Sequence, residues 1–302
     1  MIVVKIRGGM ANQMFPYACA KALSLRMGTE LKIDASDYSD DIEPDIVHKR
    51  AYGLKFLKIS SPLVADSDLL YWFDKSIFKR IKRIHYRFKP YYERIHIIEP
   101  VNNVVYRDPN IYLLQTKKNI YLQGDFNSYR NFIDYESEIR KEFEFAIEPS
   151  AKNKEIINEM GQVNSVAIHF RQGIILEGNS NYLVLPLEYY LAAIKYIISK
   201  VANPSFYLFS DDPEWVKRNI KIAGFPVRVI DHNDQRHNYE DMRLMSTCKH
   251  IIMANSGFSW WAAWLGKKDN QIVVAPRHFW KNDSYDVLNS DFYPESWIKM
   301  WF

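Results

Sequence analysis

One segment of the chain indicates the fold class more clearly than any other: His250-Ile-Ile-Met-Ala-Asn-Ser-Gly-Phe-Ser-Trp-Trp-Ala-Ala-Trp264. It begins as a short apolar run, passes through the small polar residues Asn255-Ser-Gly257, and continues as an aromatic run. This order predicts a strand, a turn and a helix. In α/β proteins, ligands bind where the C-terminal ends of strands meet helix N-termini. The segment therefore predicts a binding site as well as a fold.

The side chains of this segment divide into two groups. Three tryptophans recur at helical spacing and are expected mainly to pack the helix against the sheet: Trp260, Trp261 and Trp264. Three small polar residues lie at the start of the helix, where they can donate hydrogen bonds to phosphate or sugar oxygens: Asn255, Ser256 and Ser259.

The rest of the C-terminal half alternates between short apolar runs and helical patterns. The apolar runs are Ser165–Phe170, Phe206–Ser210, Val227–Ile230, His250–Ala254 and Gln271–Ala275. The helical patterns are Leu187–Val201, Asp212–Ile222, Tyr239–Cys248 and Phe258–Leu265. Strands that alternate with helices imply βαβ units and a parallel sheet. We therefore predict a Rossmann-like domain over residues 151–302.

The N-terminal half begins with the same alternation. Its predicted elements are strands at Ile2–Ile6, Glu30–Asp34 and Ile120–Gly124, and helices at Ala11–Met27 and about Tyr129–Phe145. Regular patterning is lost between about residues 35 and 119. We predict a second α/β domain over residues 1–150 with an insertion at about 35–119. The polar stretch Glu148–Gly161 is expected to contain the boundary.

Composition limits the classes of function. With 302 residues, 47% of them hydrophobic and 25% charged, the chain is typical of a globular protein with two domains. A net charge of +4 is too small to predict nucleic-acid binding. Both cysteines lie in apolar segments, no apolar run reaches the roughly 18 residues that span a bilayer, and no signal peptide is visible. We expect a cytoplasmic protein.

Two loops that follow predicted strands carry candidate ligand contacts. In Arg7-Gly-Gly-Met-Ala-Asn-Gln-Met-Phe15, Gly8 and Gly9 would let a ligand approach the backbone, while Asn12 and Gln13 offer donors and acceptors. The alternative is a tight turn in which Asn12 caps the helix. The loop lacks the Gly-x-Gly-x-x-Gly pattern, so it does not indicate dinucleotide binding.

The second loop follows the strand in Val166-Ala-Ile-His-Phe-Arg-Gln-Gly173. Because strand side chains alternate, His169 and Arg171 are expected on one side. The planar fork of an arginine suits a phosphate oxygen. The alternative is an arginine paired with a structural carboxylate beside a packed histidine.

A third strand ends in Phe209-Ser-Asp-Asp-Pro213. Either Asp211 or Asp212 should cap the next helix, and the other could accept hydrogen bonds from a guanine. A purely structural capping role for both is the alternative. Metal-binding patterns are weak, because Asp66-Ser-Asp68 fits helix capping better and the histidines form no ligand spacing. We expect neither a metal nor a cofactor.

A basic segment lies within the predicted insertion. Residues 74–94 contain eight Lys or Arg and two acidic residues, with apolar residues on one helical face. This pattern predicts an amphipathic helix that contacts an anionic membrane surface at its periphery. The alternative is a helix that packs on the domain with a solvated basic face.

The loop and helix motifs resemble a known family. Its N-terminal signature is similar to Gly8-Gly-Met-Ala-Asn-Gln-Met-Phe-Pro-Tyr-Ala18. Its C-terminal signature is similar to Asp241-Met-Arg-Leu-Met-Ser-Thr-Cys-Lys-His250 together with Asn255–Trp264. The family is the α-1,2-fucosyltransferases of glycosyltransferase family 11. The chain looks like a bacterial member. The resemblance implies a GT-B-like fold, with two Rossmann-like domains facing across a cleft. Residues 151–302 would bind the nucleotide sugar, and residues 1–150 would form the acceptor side. It also implies inverting, metal-independent transfer of fucose from GDP-fucose to a glycan, usually to O2 of a terminal galactose.

The resemblance also suggests roles for the candidate residues. Arg171 would stabilise the leaving diphosphate, helped by the backbone at Gly8–Gly9 and by Ser256. His169 is a further candidate catalytic residue, and Glu177 is the nearest carboxylate that could act as a base. The family pattern His-x-Arg-Arg-Gly-Asp reads His169-Phe-Arg-Gln-Gly-Ile174 here. A different nucleotide-sugar donor, or a non-catalytic nucleotide- or carbohydrate-binding module, remains open, as does a lipid-linked acceptor at the inner face of a membrane.

Overall fold

The chain folds into two compact units. A computed structural model describes residues 1–38, 51–73, 88–99, 107–112, 114, 119–172, 183–279 and 291–301. Unit 1 comprises residues 1–146 with 290–292, and unit 2 comprises residues 147–289 with 293–302. The predicted division after residue 150 falls close to this boundary. No helix in the described ranges is both long and apolar enough to cross a membrane.

Unit 1 contains a four-stranded parallel sheet of order β2-β1-β4-β3. Its strands are β1 (Ile2–Lys5), β2 (Leu31–Asp34), β3 (His96–Ile98) and β4 (Ile120–Gln123). Its helices are α1 (Met10–Met27), α2 (Asp66–Phe73), α3 (Pro109–Tyr112) and α4 (Glu136–Glu142). Short 3-10 turns occupy Leu54–Phe56, Tyr91–Glu93, Tyr129–Asn131 and Ile133–Tyr135. The first three residues of the inner strand β1 are fully buried, as parallel sheets covered on both faces require.

Three features of unit 1 differ from the prediction. The segment 35–119, predicted as an irregular insertion, contributes α2 and the edge strand β3, whose three residues are too few to show a period. The helix predicted at about 129–145 is shortened to α4, because the chain before it forms two 3-10 turns. Residues 290–292, predicted in the second domain, belong to unit 1, where Asp291 pairs with Arg130 at 3.0 Å.

Unit 2 contains a six-stranded parallel sheet of order β10-β9-β8-β5-β6-β7. Its strands are β5 (Asn164–Phe170), β6 (Pro204–Ser210), β7 (Val227–Ile230), β8 (His250–Ile252), β9 (Val273–Pro276) and β10 (Ile298–Met300). Its helices are α5 (Ala151–Gln162), α6 (Leu187–Lys200), α7 (Pro213–Asn219), α8 (Asn238–Thr247) and α9 (Gly257–Leu265), with a 3-10 turn at Gln235–His237. The prediction of two parallel α/β domains is confirmed.

The central strand β5 presents alternate residues to the two faces of the unit 2 sheet. Val166, Ile168 and Phe170 belong to a buried cluster with Tyr189 and Tyr190 of α6. The intervening residues of the strand lie on the other face. This alternation places His169 on the side of α9, away from that apolar cluster.

Two elements of unit 2 were not predicted. The polar stretch Glu148–Gly161 is largely helix α5, whose cap Ser150 accepts a hydrogen bond from the Asn153 N–H. Only Ile156 and Met160 form its buried apolar stripe, too narrow a pattern to indicate a helix. The edge strand β10 is likewise only three residues long.

Candidate active site

The segment that first indicated a site forms the predicted strand–turn–helix junction between β8 and α9. Ser256 is the N-cap of α9, and its hydroxyl accepts a 3.2 Å hydrogen bond from the backbone N–H of Phe258. This bond satisfies one of the helix's first amide groups, and the remaining N-terminal amides give this end a partial positive charge. The junction therefore offers an environment that favours an anion.

Two of the three polar residues predicted to face a ligand instead hold the junction together. Asn255 is 1% exposed, and its amide donates to the backbone carbonyls of Leu183 (2.7 Å) and Phe279 (2.9 Å). Ser259 is fully buried, with its hydroxyl directed at the carbonyls of Ala254 and Ser256. Burial and hydrogen bonds to the backbone thus correct the prediction for Asn255 and Ser259.

The tryptophans of α9 belong to the core, as predicted. Trp260 and Trp261 are fully buried and meet edge to face, with ring centroids 4.8 Å apart. Trp264 is 4% exposed and packs on Trp261, while Trp260 also contacts Trp297. The aromatic cluster therefore fixes α9 in place and leaves ligand binding to the turn.

Arg171 follows the C-terminal end of β5 and is partly exposed. Among the described residues, no carboxylate forms an ion pair with its guanidinium, so the alternative of a structurally paired arginine finds no support in these ranges. An unpaired guanidinium at the carboxyl edge of a parallel sheet can donate two hydrogen bonds to one phosphate. The predicted base Glu177, and with it Gly173 and Ile174, lies outside the described residues.

His169 lies two residues before Arg171 and is buried. Its ring packs against that of Phe258 with centroids 5.9 Å apart, and its Nδ1 has no hydrogen-bond partner among the described residues. Burial and the positive charge of Arg171 lower the pKa of His169 to about 3. The imidazole is therefore neutral at physiological pH, which limits the predicted catalytic role to that of an uncharged group.

Asp211 and Asp212 follow β6, the neighbour of β5 in the sheet. Asp212 is the N-cap of α7 and accepts a 2.9 Å hydrogen bond from the Trp215 N–H, as predicted for one of the pair. Asp211 accepts a 2.7 Å hydrogen bond from the backbone N–H of Gln172. Asp211 therefore supports the backbone beside Arg171 and Asp212 supports the start of α7, and a guanine contact by either remains a prediction.

In the glycine-rich loop of unit 1, as in the junction of unit 2, some of the predicted ligand contacts are accessible and others are buried. Gly8 and Gly9 are partly exposed and Asn12 is exposed, so all three remain accessible. Asn12 does not cap α1, since the N-cap is Gly9. Gln13 is fully buried, and its amide bonds to the backbone of Gly8, Ala51 and Gly53. The ligand contact predicted for Gln13 is therefore corrected to a structural role.

A polar cavity of about 470 Å³ in unit 2 was missed by the sequence reasoning. Asn153 of α5 bridges Asn233 and Glu240, each at 3.1 Å. Asn233 in turn donates a 2.7 Å hydrogen bond to Asp241, and burial raises the pKa of this carboxyl to about 7. The signature beginning at Asp241 was the available signal, but spacing alone gave no reason to connect it with residues about 90 positions earlier.

The basic segment 74–94 falls mainly outside the described residues, because these omit 74–87. The end of the segment, Tyr91–Glu93, forms a 3-10 turn. Membrane contact through this segment therefore remains a prediction.

Two parallel α/β units, with an arginine and a capped helix N-terminus at the carboxyl edge of one sheet, form an architecture that glycosyltransferases of the GT-B-like class share with other nucleotide-binding proteins. The model of the family described as "Glycosyl transferase family 11" matches residues 1–300. The chain therefore belongs to glycosyl transferase family 11, and the resemblance recognised in its motifs is confirmed.

Individual relatives agree with this assignment. An α-1,2-colitosyltransferase of Escherichia coli is 28% identical, over 99% of this chain and 99% of its own length. A galactoside 2-α-L-fucosyltransferase of Caenorhabditis elegans is 21% identical, over 99% of this chain and 79% of its own length. Among solved structures, the fucosyltransferase NodZ from Bradyrhizobium aligns with a TM-score of 0.51 and 16% identity, covering 87% of this chain and 91% of that one. At this identity the structural likeness supports the fold alone.

Proposed function

We propose that this chain transfers fucose from GDP-fucose to O2 of a terminal galactose in a glycan, with inversion at the sugar C1 and without a metal ion. The observation that carries the proposal is the Arg171 guanidinium, which is partly exposed and has no carboxylate partner among the described residues. The names of the two relatives, one an α-1,2-transferase and one a galactoside 2-α-fucosyltransferase, support the linkage and the acceptor.

The reaction requires stabilisation of a leaving diphosphate. The acceptor oxygen attacks C1 as the bond from C1 to the diphosphate oxygen breaks, and the acceptor proton passes to a base. Arg171 can donate to the diphosphate as negative charge develops on it, and the N-terminal amides of α9 favour the same charge. Preorganised donors of this kind stabilise the transition state without a metal. Glu177 is the candidate base, because the low pKa of His169 makes its imidazole a weak one.

Two places in unit 2 could read the guanine. Asp211 and Asp212 are the candidates from the sequence. The polar cavity at Asn153 and Asn233 is the other, since it offers several acceptors for the guanine N–H groups. Part of the cavity lining follows β7, whose axis lies two strands, or about 10 Å, from that of β5, and a nucleoside diphosphate is long enough to span two strands.

The donor sugar could instead be colitose, which is fucose without its 3-hydroxyl. The Escherichia coli relative carries this activity in its name. The sequence supports the alternative as well, because Ile174 stands where the family pattern has an aspartate that could accept a hydrogen bond from a sugar hydroxyl. A donor with one hydroxyl fewer would suit an apolar residue there.

A nucleotide panel with a transfer assay tests the proposal. A ligand that binds the native state raises the melting temperature by mass action. We expect stabilisation by GDP, GDP-fucose or GDP-colitose, little by UDP, and no change on adding EDTA. We also expect transfer to a terminal galactoside from one of the two GDP-sugars. Stabilisation by UDP but not GDP would overturn the donor assignment. Nucleotide binding without transfer or donor hydrolysis would leave the non-catalytic alternative.

The proposal includes a cytoplasmic location with peripheral contact to a membrane. A cytoplasmic enzyme that meets a lipid-linked acceptor would benefit from peripheral contact through residues 74–94, which carry eight basic side chains. Binding to anionic vesicles at low salt, lost at high salt, is the expected result. Absence of binding at low salt would rule out this contact.

A further inference from the structure

A second cavity, of about 400 Å³, lies within unit 1 at the carboxyl edge of its sheet. Its volume falls within the roughly 300–1,000 Å³ that small-molecule sites occupy. The described residues give it two chemically different sides. Strand ends supply the polar side, which consists of Lys5, Asp34 and Gln123. Helix α2 and strand β4 supply the apolar side, which consists of Leu69, Phe73 and Tyr121.

Among the described residues, the polar side offers no unengaged cation to a ligand. The Lys5 ammonium lies 2.7 Å from Asp37 and 3.6 Å from Asp34, so two carboxylates face one cation. Burial acts to raise the pKa of Asp34, but hydrogen bonds from Tyr121 and Ser36 and the charge of Lys5 bring it below its usual value. Asp34 is therefore ionised at neutral pH. Because Lys5 is already engaged by two carboxylates, the described lining has little attraction for a phosphate or a nucleotide.

The apolar side presents an aromatic ring to the cavity. Phe73 is 39% exposed, and its ring stands edge-on to Tyr121 at 4.8 Å and to His96 at 5.9 Å between centroids. These contacts hold the ring in one orientation while part of its surface stays open. The electron-rich face of such a ring attracts C–H groups that carry partial positive charge.

A sugar ring matches both sides at once. One face of a pyranose is lined by C–H groups, and its rim carries hydroxyls that both donate and accept hydrogen bonds. The amide of Gln123 can donate to such a hydroxyl. The Gln123 Oε1 lies 3.3 Å from His96 Nε2, so the amide is already oriented.

We propose that this cavity binds an uncharged sugar unit of the glycan acceptor. The assignment to the acceptor rests on the proposed function, whereas binding of a neutral sugar rests on the cavity alone. The engagement of Lys5 by carboxylates distinguishes this cavity from the proposed diphosphate site at Arg171, whose guanidinium has no carboxylate partner among the described residues. Gln123 and Phe73 are accordingly specificity-determining residues for the acceptor.

Two variants test the cavity, and one serves as a control. Gln123→Ala removes a polar contact, and Phe73→Leu removes the aromatic face while keeping an apolar side chain. Phe88→Ala is the matched control, because Phe88 is 85% exposed and does not line the cavity. Ligand-observed NMR titration with methyl β-D-galactopyranoside and with lactose measures binding without requiring turnover.

We expect each cavity variant to weaken sugar binding and raise the acceptor KM by about 3- to 10-fold, the worth of one such contact. The donor KM and stabilisation by GDP should not change, and the control should match the wild type. Unchanged sugar binding in both cavity variants, or no saturable binding by the wild type, would overturn the inference. If the wild type transfers the sugar and both cavity variants behave like it, the cavity inference fails while the proposed function stands. If the cavity binds sugar but no GDP-sugar supports transfer, the proposed function fails while sugar binding by the cavity stands.

Discussion

The backbone N–H of Gln172 donates a 2.7 Å hydrogen bond to the carboxylate of Asp211. The bond joins the residue that follows Arg171 to the residue that follows β6. It therefore restrains the backbone from which the Arg171 side chain projects. Asp211 supports the backbone beside Arg171 through this bond, whether or not it also contacts a base.

Asp211→Ala should weaken binding of GDP and of inosine diphosphate by the same factor, about tenfold, since a lost hydrogen bond to a charged group has about this effect. The physical reason is that both nucleotides lose the same restraint on Arg171. Calorimetric titration with the two nucleotides measures it, with Asp269→Ala as an exposed control on the same unit. Inosine lacks the guanine amino group, so a loss confined to GDP would make Asp211 a guanine reader instead.

Arg171→Ala should lower kcat/KM by about 100- to 1,000-fold, the usual effect of removing a preorganised donor from a developing negative charge. Stability without nucleotide should stay near that of the wild type, because no described carboxylate depends on this arginine. Steady-state kinetics and thermal melts provide the measurements. The control is Arg218→Ala, which removes an exposed arginine of α7. Turnover like that of the wild type would remove Arg171 from the mechanism.

His169 should make the protein less stable in acid. Its pKa is lowered from 6.5 to about 3 by burial and by Arg171, so only the unfolded chain takes up a proton between these values. Stability is therefore lost as pH falls from about 6.5 towards 3. His169→Gln should show a shallower acid-side decline in denaturant unfolding measured across this range. Equal slopes for the variant and the wild type would contradict a buried neutral imidazole.

Asp241 should make the protein less stable as pH rises towards neutrality. Burial raises its pKa from 3.8 to about 7, so between these values the unfolded chain has lost a proton that the native state retains. Stability then falls as pH rises from about 3.8 to 7. Relative to the wild type, Asp241→Asn should gain stability as pH rises through this range, by up to about 4 kcal/mol for a shift from 3.8 to about 7. Its advantage should vanish in acid.

Asp269→Asn is the control for this comparison, because that carboxylate is exposed on the same unit. It should follow the pH dependence of the wild type. A constant difference between Asp241→Asn and the wild type at every pH would contradict the raised pKa.

Gly8 and Gly9 should respond differently to the same substitution. Gly8 has φ +74°, and a Cβ there would lie 2.9 Å from the Asn12 side chain. Gly8→Ala should therefore lower stability by about 1–2 kcal/mol. Gly9 has φ −76° and open space around its Cβ position, so Gly9→Ala should be tolerated and serves as the matched control. Equal melting temperatures for the two variants would contradict the left-handed conformation at Gly8.

Much of unit 2 was predictable because its elements have strong local patterns. The helix predicted at Leu187–Val201 is observed at Leu187–Lys200, and the strand at Val227–Ile230 has the predicted bounds. Helix α5 escaped prediction because its buried stripe is narrow. Strand β3 did so because an edge strand of three residues has no measurable period.

The site was harder to predict than the fold. A sequence indicates which side chains can donate a hydrogen bond, but not which partners they meet. Asn255 and Gln13 have the chemistry of ligand-binding residues, yet backbone carbonyls distant in sequence occupy their amides. The network from Asn153 to Asp241 spans about 90 residues, so only the folded chain brings it together.

The central claim is that the chain moves a 6-deoxy sugar from a GDP-linked donor to O2 of galactose. Incubation with GDP-fucose and a terminal β-galactoside, followed by NMR analysis of the product, tests it most directly. We predict release of GDP together with an α-1,2-linked fucoside, formed by the wild type and by Arg218→Ala but lost in Arg171→Ala. A product linked elsewhere on the acceptor, or transfer that proceeds from a UDP-sugar and not from GDP-fucose or GDP-colitose, would contradict it.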